Sequence, residues 1–173
     1  IGTFIAYIGA CSALLAAIIA TRQTDIKKIL AYSTMSQLGY MFIAVGLGFY
    51  SSGLFHVFTH AFFKAMLFMG AGGVILALHH EQNIFNIAKH RASLPIISFT
   101  FLIGVIAISG IPPFSGFFSK DVILAAAFQE GHYLIYAIAL FTAFLTAFYM
   151  FRLYFIVFVT PNHHKKEYVY TSK

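Results

Sequence analysis

The sequence predicts an all-α integral membrane protein with five transmembrane crossings, the fourth of them a discontinuous helix. Three observations predict it. Of 173 residues, 60% are hydrophobic and only 9% are charged, with a mean hydropathy of +0.85. A soluble domain is about half apolar and about one-quarter charged, so this chain lacks the polar groups to cover a globular surface, and lipid is its main solvent. Apolar runs of spanning length alternate with short polar punctuation. One of those runs is too long for a single rod and contains the helix-breaking stretch "GIPPFSG".

The first run covers about residues 1–20 and ends at "TRQTDIKK"; the second, about 29–48, is closed by "FYSSG". The third, about 53–78, ends at "HHEQN", the fourth spans about 94–128, and the fifth about 133–159. A bilayer core about 30 Å thick needs roughly 20 helical residues, so four of the runs are ordinary spans. The fourth, about 35 residues at 1.5 Å each, would make a rod of roughly 50 Å. Charge placement decides how it crosses. With one broken crossing, Arg22, Lys27, Lys28, Lys89, Arg91, Lys165 and Lys166 all fall on one side, and the opposite loops hold no Lys or Arg. The basic-residue bias therefore places loops 21–28 and 79–93 and the C-terminal tail on the cytoplasmic side.

The break has a local cause. Pro112 and Pro113 lack backbone N–H groups, and Gly110 and Gly116 flank them, so helical hydrogen bonds fail there. Unpaired backbone at membrane depth persists only where it is buried in protein or lines a wet cavity. Lys120 follows within a few residues, which brings a cation beside freed carbonyls, an arrangement found at ion sites of transporters.

The net charge of +6 is not massed on one element, which argues against nucleic acid. The single cysteine, Cys11, excludes an intramolecular disulfide framework and a multi-cysteine metal or iron–sulfur site. The chain opens at Ile1, inside an apolar run, and reads as a fragment with no cleavable signal peptide in view.

The chemistry concentrates in "FHVFTHAFFKAML". His56, His60 and Lys64 recur every fourth residue, so on a helix they form a slanting stripe roughly 12 Å long, with Thr59 beside it. A charge at mid-bilayer costs roughly 2.5–3.5 kcal/mol on insertion scales, and burial favours the neutral forms of histidine and lysine. Groups held near that balance can accept and release protons, which is how a relay is built. A single buried histidine is ordinarily a hydrogen-bonded packing residue; three basic groups in register, with Lys120 at a helix break, point to function.

Lys27 and Lys28 fit either an interfacial anchor or an outlying member of the row. Arg152 is close enough to the end of the fifth run to snorkel. Asp121 is expected to pair with Lys120 or to cap the half-helix after the break. Ser33, Ser36 and Gln37 serve as hydrogen-bonding glue between helices or hold water. "HVFTH" has the spacing of a zinc motif, but Val57 occupies the general-base position and no nearby carboxylate supplies a third ligand. Haem ligation calls for histidines on different helices facing one iron, not a stripe on a single helix.

The stretches "TRQTDIKKILAYSTMSQLGYMF", "THAFFKAMLFMGAGGVI", "HHEQNIF" and "GIPPFSGFFSKDVILAAAF" resemble the terminal antiporter-like membrane subunits of respiratory complex I, the chain L or chain 5 type of NADH:quinone oxidoreductase. The likeness runs from about residue 10 to about residue 160, and the joint occurrence of the stretches makes it specific. It implies two inverted repeats of five helices, each with one broken helix carrying a key lysine or glutamate. Residues 1–160 then match the second repeat, and 161–173 a polar cytoplasmic tail or truncated loop. By the same resemblance Lys120 is the broken-helix lysine, His56, His60 and Lys64 are the basic groups of the preceding helix, and Lys27 lies near the central polar axis.

The resemblance implies a non-redox subunit of a proton-translocating enzyme. NADH, FMN, iron–sulfur clusters and quinone would act elsewhere in the complex, with no cofactor in this chain. Partners would be other membrane subunits, above all the adjacent antiporter-like one, within a bacterial cytoplasmic or mitochondrial inner membrane. Protons would pass along His56, His60 and Lys64 to Lys120, whose charge state Asp121 would help to set. Multisubunit cation/proton antiporters and membrane-bound hydrogenases use similar subunits, and a purely structural segment of the membrane arm is the remaining alternative. The glutamate and lysine of the first repeat and the long lateral helix are not in this stretch.

Overall fold

The computed structural model describes residues 1–89, with Lys89 in its backbone only, and 94–159. Expectations for the side chain of Lys89, for Arg91, Lys165 and Lys166, and for the 161–173 tail lie outside the described residues. Among those described, helices dominate: α1 (Gly2–Arg22), α2 (Ile26–Gly46), α3 (Tyr50–Ala77), the short α4 (Ile84–Lys89), α5 (Pro95–Ser109), α6 (Ser115–Gln129) and α7 (Tyr133–Tyr154), which runs on as a π-helical turn over Phe155–Val159. Four of these, counting α7 with its π turn, are long and apolar enough to cross a membrane, and α5 is a shorter apolar helix. The sequence reading missed α4, which sits in the loop expected at 79–93.

In α1 the buried residues are Ala6, Gly9, Ala10, Ala13, Ala16, Ala17 and Ala20, a stripe at helical spacing made only of small side chains. Between helices in lipid there is little hydrophobic drive, so close backbone packing of small residues does the joining. Gly39 and Gly46 of α2 meet this stripe so closely that a Cβ on Gly39 would stand 2.5 Å from the Gly9 carbonyl oxygen and 2.9 Å from Ala13 Cα. Asp25 starts α2 as an N-cap, accepting from the backbone N–H of Lys27 at 2.8 Å and of Lys28 at 3.3 Å.

The loops sort by end. Ile26 N–H donates to the Gln82 carbonyl at 3.0 Å and Ile84 N–H to that of Thr24 at 2.9 Å, so the α1–α2 and α3–α4 connections are laced together. Arg152 reaches the same end from α7, donating to the Thr21 carbonyl at 2.6 Å. Arg22, Lys27, Lys28 and Arg152 thus share one end of the bundle.

The long fourth run is one broken crossing. Ile97 of α5 packs on Gly73, Phe101 on Gly70 and Gly104 on Leu67; past the break, Ser119 of α6 bonds His56 and Thr59. The contacts descend α3 in one direction from residue 73 to residue 56, with α6 continuing where α5 stops. Gly110 ends α5 in the left-handed conformation at φ 75°, which a side chain would oppose. Gly116 lies so close to α5 that a Cβ there would run into the carbonyl oxygen of Ala107.

Candidate functional site: a buried basic row beside the broken helix

The break exposes a specific acceptor. In an uninterrupted helix the Ile108 carbonyl would bond the N–H four residues on, at position 112, and Pro112 has none. The Ala107 and Ile106 carbonyls are satisfied by Gly110 N–H. Ile108 is served instead by Lys120, whose Nζ donates to its oxygen at 2.7 Å. Lys120, only 3% exposed, is therefore the C-terminal cap of α5, held at the negative end of that helix dipole. Its Nζ also stands 5.3 Å from the centroid of the Tyr40 ring, within range of a cation–π interaction. Tyr40 is fully buried and fixed by donating its hydroxyl to the Ala139 carbonyl of α7 at 2.6 Å.

The α3 stripe forms as expected: His56, Thr59, His60 and Lys64 are all buried. Lys64 Nζ donates to the Leu30 carbonyl of α2 at 2.9 Å. His56 joins three helices, with Nδ1 at 2.8 Å from Ser119 Oγ on α6 and Nε2 at 3.2 Å from Gln37 Oε1 on α2. The glutamine oxygen only accepts, so Nε2 carries the hydrogen and Nδ1 of the neutral ring accepts from the serine hydroxyl. A proton arriving at Nδ1 would make both ring nitrogens donors, with Ser119 and Gln37 placed to receive them. Thr59 Oγ1 donates to Ser119 at 3.3 Å, extending the chain by one hydroxyl. The ring of His60 lies 6.3 Å from that of His56, and its Nε2 is buried without a hydrogen-bond partner among the described residues.

The row thus runs from Lys64 through His60 and His56 to Ser119, whose chain neighbour is Lys120. No two of its basic groups bond each other directly, so transfer between them needs hydroxyls or water as bridges.

Two expectations are corrected. Asp121 neither pairs with Lys120 nor caps a helix: it is exposed on this chain, and the N-cap of α6 is Phe114. The reason is geometric. The half-helix α6 already begins at Ser115, so Lys120 and Asp121 are consecutive residues of an intact helix and diverge by about 100°. Lys27 is exposed at the first turn of α2 and is not brought to the row, which leaves it in the position of an anchor.

Sequence reasoning passed over Ser119, Tyr40 and Tyr149. Adjacency to Lys120 was the available signal for Ser119, and the i, i+3 spacing from Gln37 for Tyr40. Among the described residues no third His, Cys, Asp or Glu joins His56 and His60 in a metal-sized cluster.

Comparison with known proteins places this architecture. Residues 1–146 match the family described as "NADH:quinone oxidoreductase/Mrp antiporter, TM". The chain is 51% identical over 164 residues to the NADH-quinone oxidoreductase subunit L of Escherichia coli, covering 94% of this chain and 26% of that protein. It is 48% identical to the chloroplast NAD(P)H-quinone oxidoreductase subunit 5 of Chlorokybus atmophyticus, covering 96% of this chain and 27% of the relative. It therefore spans about a quarter of the length of the curated relatives it matches. Among solved structures, the Mrp complex of a Dietzia species superposes with a TM-score of 0.85 at 25% identity, over 93% of this chain and 30% of that one. The membrane-bound sulfane sulfur reductase, an archaeal respiratory membrane complex, gives 0.84 at 32% identity, over 91% and 33%. The chain, with its spanning helices, broken crossing and buried basic row, belongs to the NADH:quinone oxidoreductase/Mrp antiporter transmembrane family.

Proposed function

We propose that residues 1–160 are the second five-helix repeat of an antiporter-like subunit that moves protons across the membrane as part of an NADH:quinone oxidoreductase. The observation that carries this reading is the buried row of Lys64, His60, His56 and Lys120, the last of them bonded to a carbonyl that a helix break has freed. Lys64, His60, His56 and Lys120 exchange protons in turn; Ser119, Thr59 and water complete the bridges, and the Gln37 amide orients the His56 ring. No redox chemistry is assigned to this segment. NADH, flavin, iron–sulfur clusters and quinone belong to other subunits, which drive the row by shifting charge and helix position. The segment sits beside another antiporter-like subunit in the bacterial cytoplasmic membrane, with loops 21–28 and 79–93 and the 161–173 tail facing the cytoplasm.

The test is proton transfer coupled to NADH oxidation in the assembled complex. Lys64→Ala and Lys120→Ala are each expected to lower the protons moved per electron while leaving the complex assembled. Unchanged pumping in both variants overturns the reading. A second reading is favoured by the superposition on the Mrp complex: a subunit of a multisubunit cation/proton antiporter. Neighbouring genes separate the two, since NADH-oxidising flavoprotein and iron–sulfur subunits go with the first and a compact antiporter operon with the second.

A further inference from the structure

The row accounts for one face of α3, but the bundle holds a second set of buried polar groups that meets it only at Gln37. Among the described residues, Ser33 Oγ, Ser36 Oγ, Gln37 Nε2 and Tyr149 Oη are enclosed without a hydrogen-bond partner. Ser33, Ser36 and Gln37 are 0% exposed and Tyr149 is 1% exposed. The hydroxyls of Ser33 on α2 and Thr146 on α7 lie within interaction range of the Tyr149 phenol, but neither meets it with the distance and angle of a full hydrogen bond. Thr146 is already committed, donating to the Thr142 carbonyl at 2.9 Å.

These groups are contiguous. Tyr149 faces Ser33 across the α2–α7 contact; Ser36 and Gln37 follow Ser33 at i+3 and i+4, on one side of α2. Gln37 then meets His56 through its oxygen, while its amide hydrogens remain free to donate. One turn beyond Tyr149 on α7, Arg152 is tied to the α1–α2 loop through the Thr21 and Gln23 carbonyls. The cluster therefore leads from the loop end of the bundle to the middle of the row by a path along α7 and α2.

Buried polar groups in native proteins are nearly all bonded, to protein or to internal water. A buried water needs two to four polar partners, and hydroxyls that each donate one bond and accept others suit it. We propose that Tyr149, Ser33, Ser36 and Gln37 bind a short file of internal water and form a proton branch that joins the row at His56, separate from the His60–Lys64 stripe. The branch rests on the proton-translocation reading. Along it each hydroxyl or water accepts one hydrogen and passes on another; the Gln37 amide only orients the last water, which exchanges its hydrogen with the His56 ring directly, so no group is left with a net change after a transfer.

The test uses the assembled complex. A high-resolution cryo-EM map is expected to show water density within about 2.7–3.2 Å of both Tyr149 Oη and Ser33 Oγ, and to lose it in Tyr149→Phe. In sealed vesicles Tyr149→Phe and Ser33→Ala should each lower the protons moved per electron several-fold with assembly unchanged. Direct dry bonding of Tyr149 to Ser33, without water density, overturns the proposal, and so does wild-type pumping in both variants. Should Lys64→Ala and Lys120→Ala fail to pump while Tyr149→Phe and Ser33→Ala pump normally, the branch alone falls. Normal pumping in all four variants means that the underlying reading has fallen.

Discussion

The two sides of α2 are built for opposite purposes. Toward α1 it presents Gly39 and Gly46 to a stripe of alanine and glycine, with the two backbones in contact. Toward α3, α6 and α7 the same helix presents the Leu30 carbonyl, Ser33, Gln37 and Tyr40, each engaged with or facing a polar group of another helix. The first face has one arrangement and cannot breathe without losing contact. The second is held together by groups that can exchange donors and acceptors without moving far. Rigidity on one side of a helix is what allows the other to keep protonatable groups within a hydrogen bond of their partners.

That comparison can be broken or sharpened by substitution. The largest effect is expected for Gly39→Leu, which drives a branched side chain into the backbone of α1. Overpacking costs about 1–3 kcal/mol in cores able to adjust, and here the obstacle is main chain, so loss of the folded segment from the membrane is expected. Wild-type abundance on quantitative blotting would show that the α1–α2 face is looser than described. Next comes Gly116→Ala, whose methyl meets the Ala107 carbonyl and pushes α6 away from α5. It should lower thermal stability and pumping together, whereas a loss of neither would mean that the break is not held by this contact.

On the polar face the effects should separate stability from activity. His56→Gln keeps a polar group near Ser119 but cannot carry a proton, so assembly should survive while protons moved per electron fall several-fold. Equal loss of assembly and pumping would make His56 a packing residue. Smaller still is Tyr40→Phe, which keeps the ring beneath Lys120 and removes only the phenol's bond to the Ala139 carbonyl, a group still bonded within α7, at a cost of about 0.5–1.5 kcal/mol, read as a lower melting temperature with pumping largely retained. Asp121→Asn should be the mildest, within about 0.5 kcal/mol in stability and without effect on the row. A strong pumping defect in that variant would return Asp121 to the site.

Much of the fold was legible because lipid makes hydropathy a length measurement. Run lengths and turn residues located α1, α2, α3 and α7, and the Pro112–Pro113 pair located the break. The α3 stripe was legible for the same reason: basic groups at a fixed spacing of four in an apolar run can only fall on one face. What the sequence hid is tertiary. That Lys120 replaces the N–H missing at Pro112 depends on Gly116 letting the start of α6 pack closely against the end of α5. That Ser119 and Tyr40 belong to the site depends on which helices are neighbours. Asp121 was misjudged because the start of α6 lay earlier than its position implied. Tyr149 gave no signal, since a tyrosine near the end of an apolar helix reads as an interfacial residue.

The central claim is that Lys120 gives up and regains a proton at the helix break, rather than merely holding the two halves together. Lys120→Arg tests it most directly, because arginine keeps the cation and the hydrogen bond to the Ile108 carbonyl but stays protonated. With assembly verified, NADH-driven proton transfer per electron in sealed vesicles is expected to fall to the level of Lys120→Ala. Pumping restored to wild type by arginine would contradict the account and leave Lys120 as a structural cap.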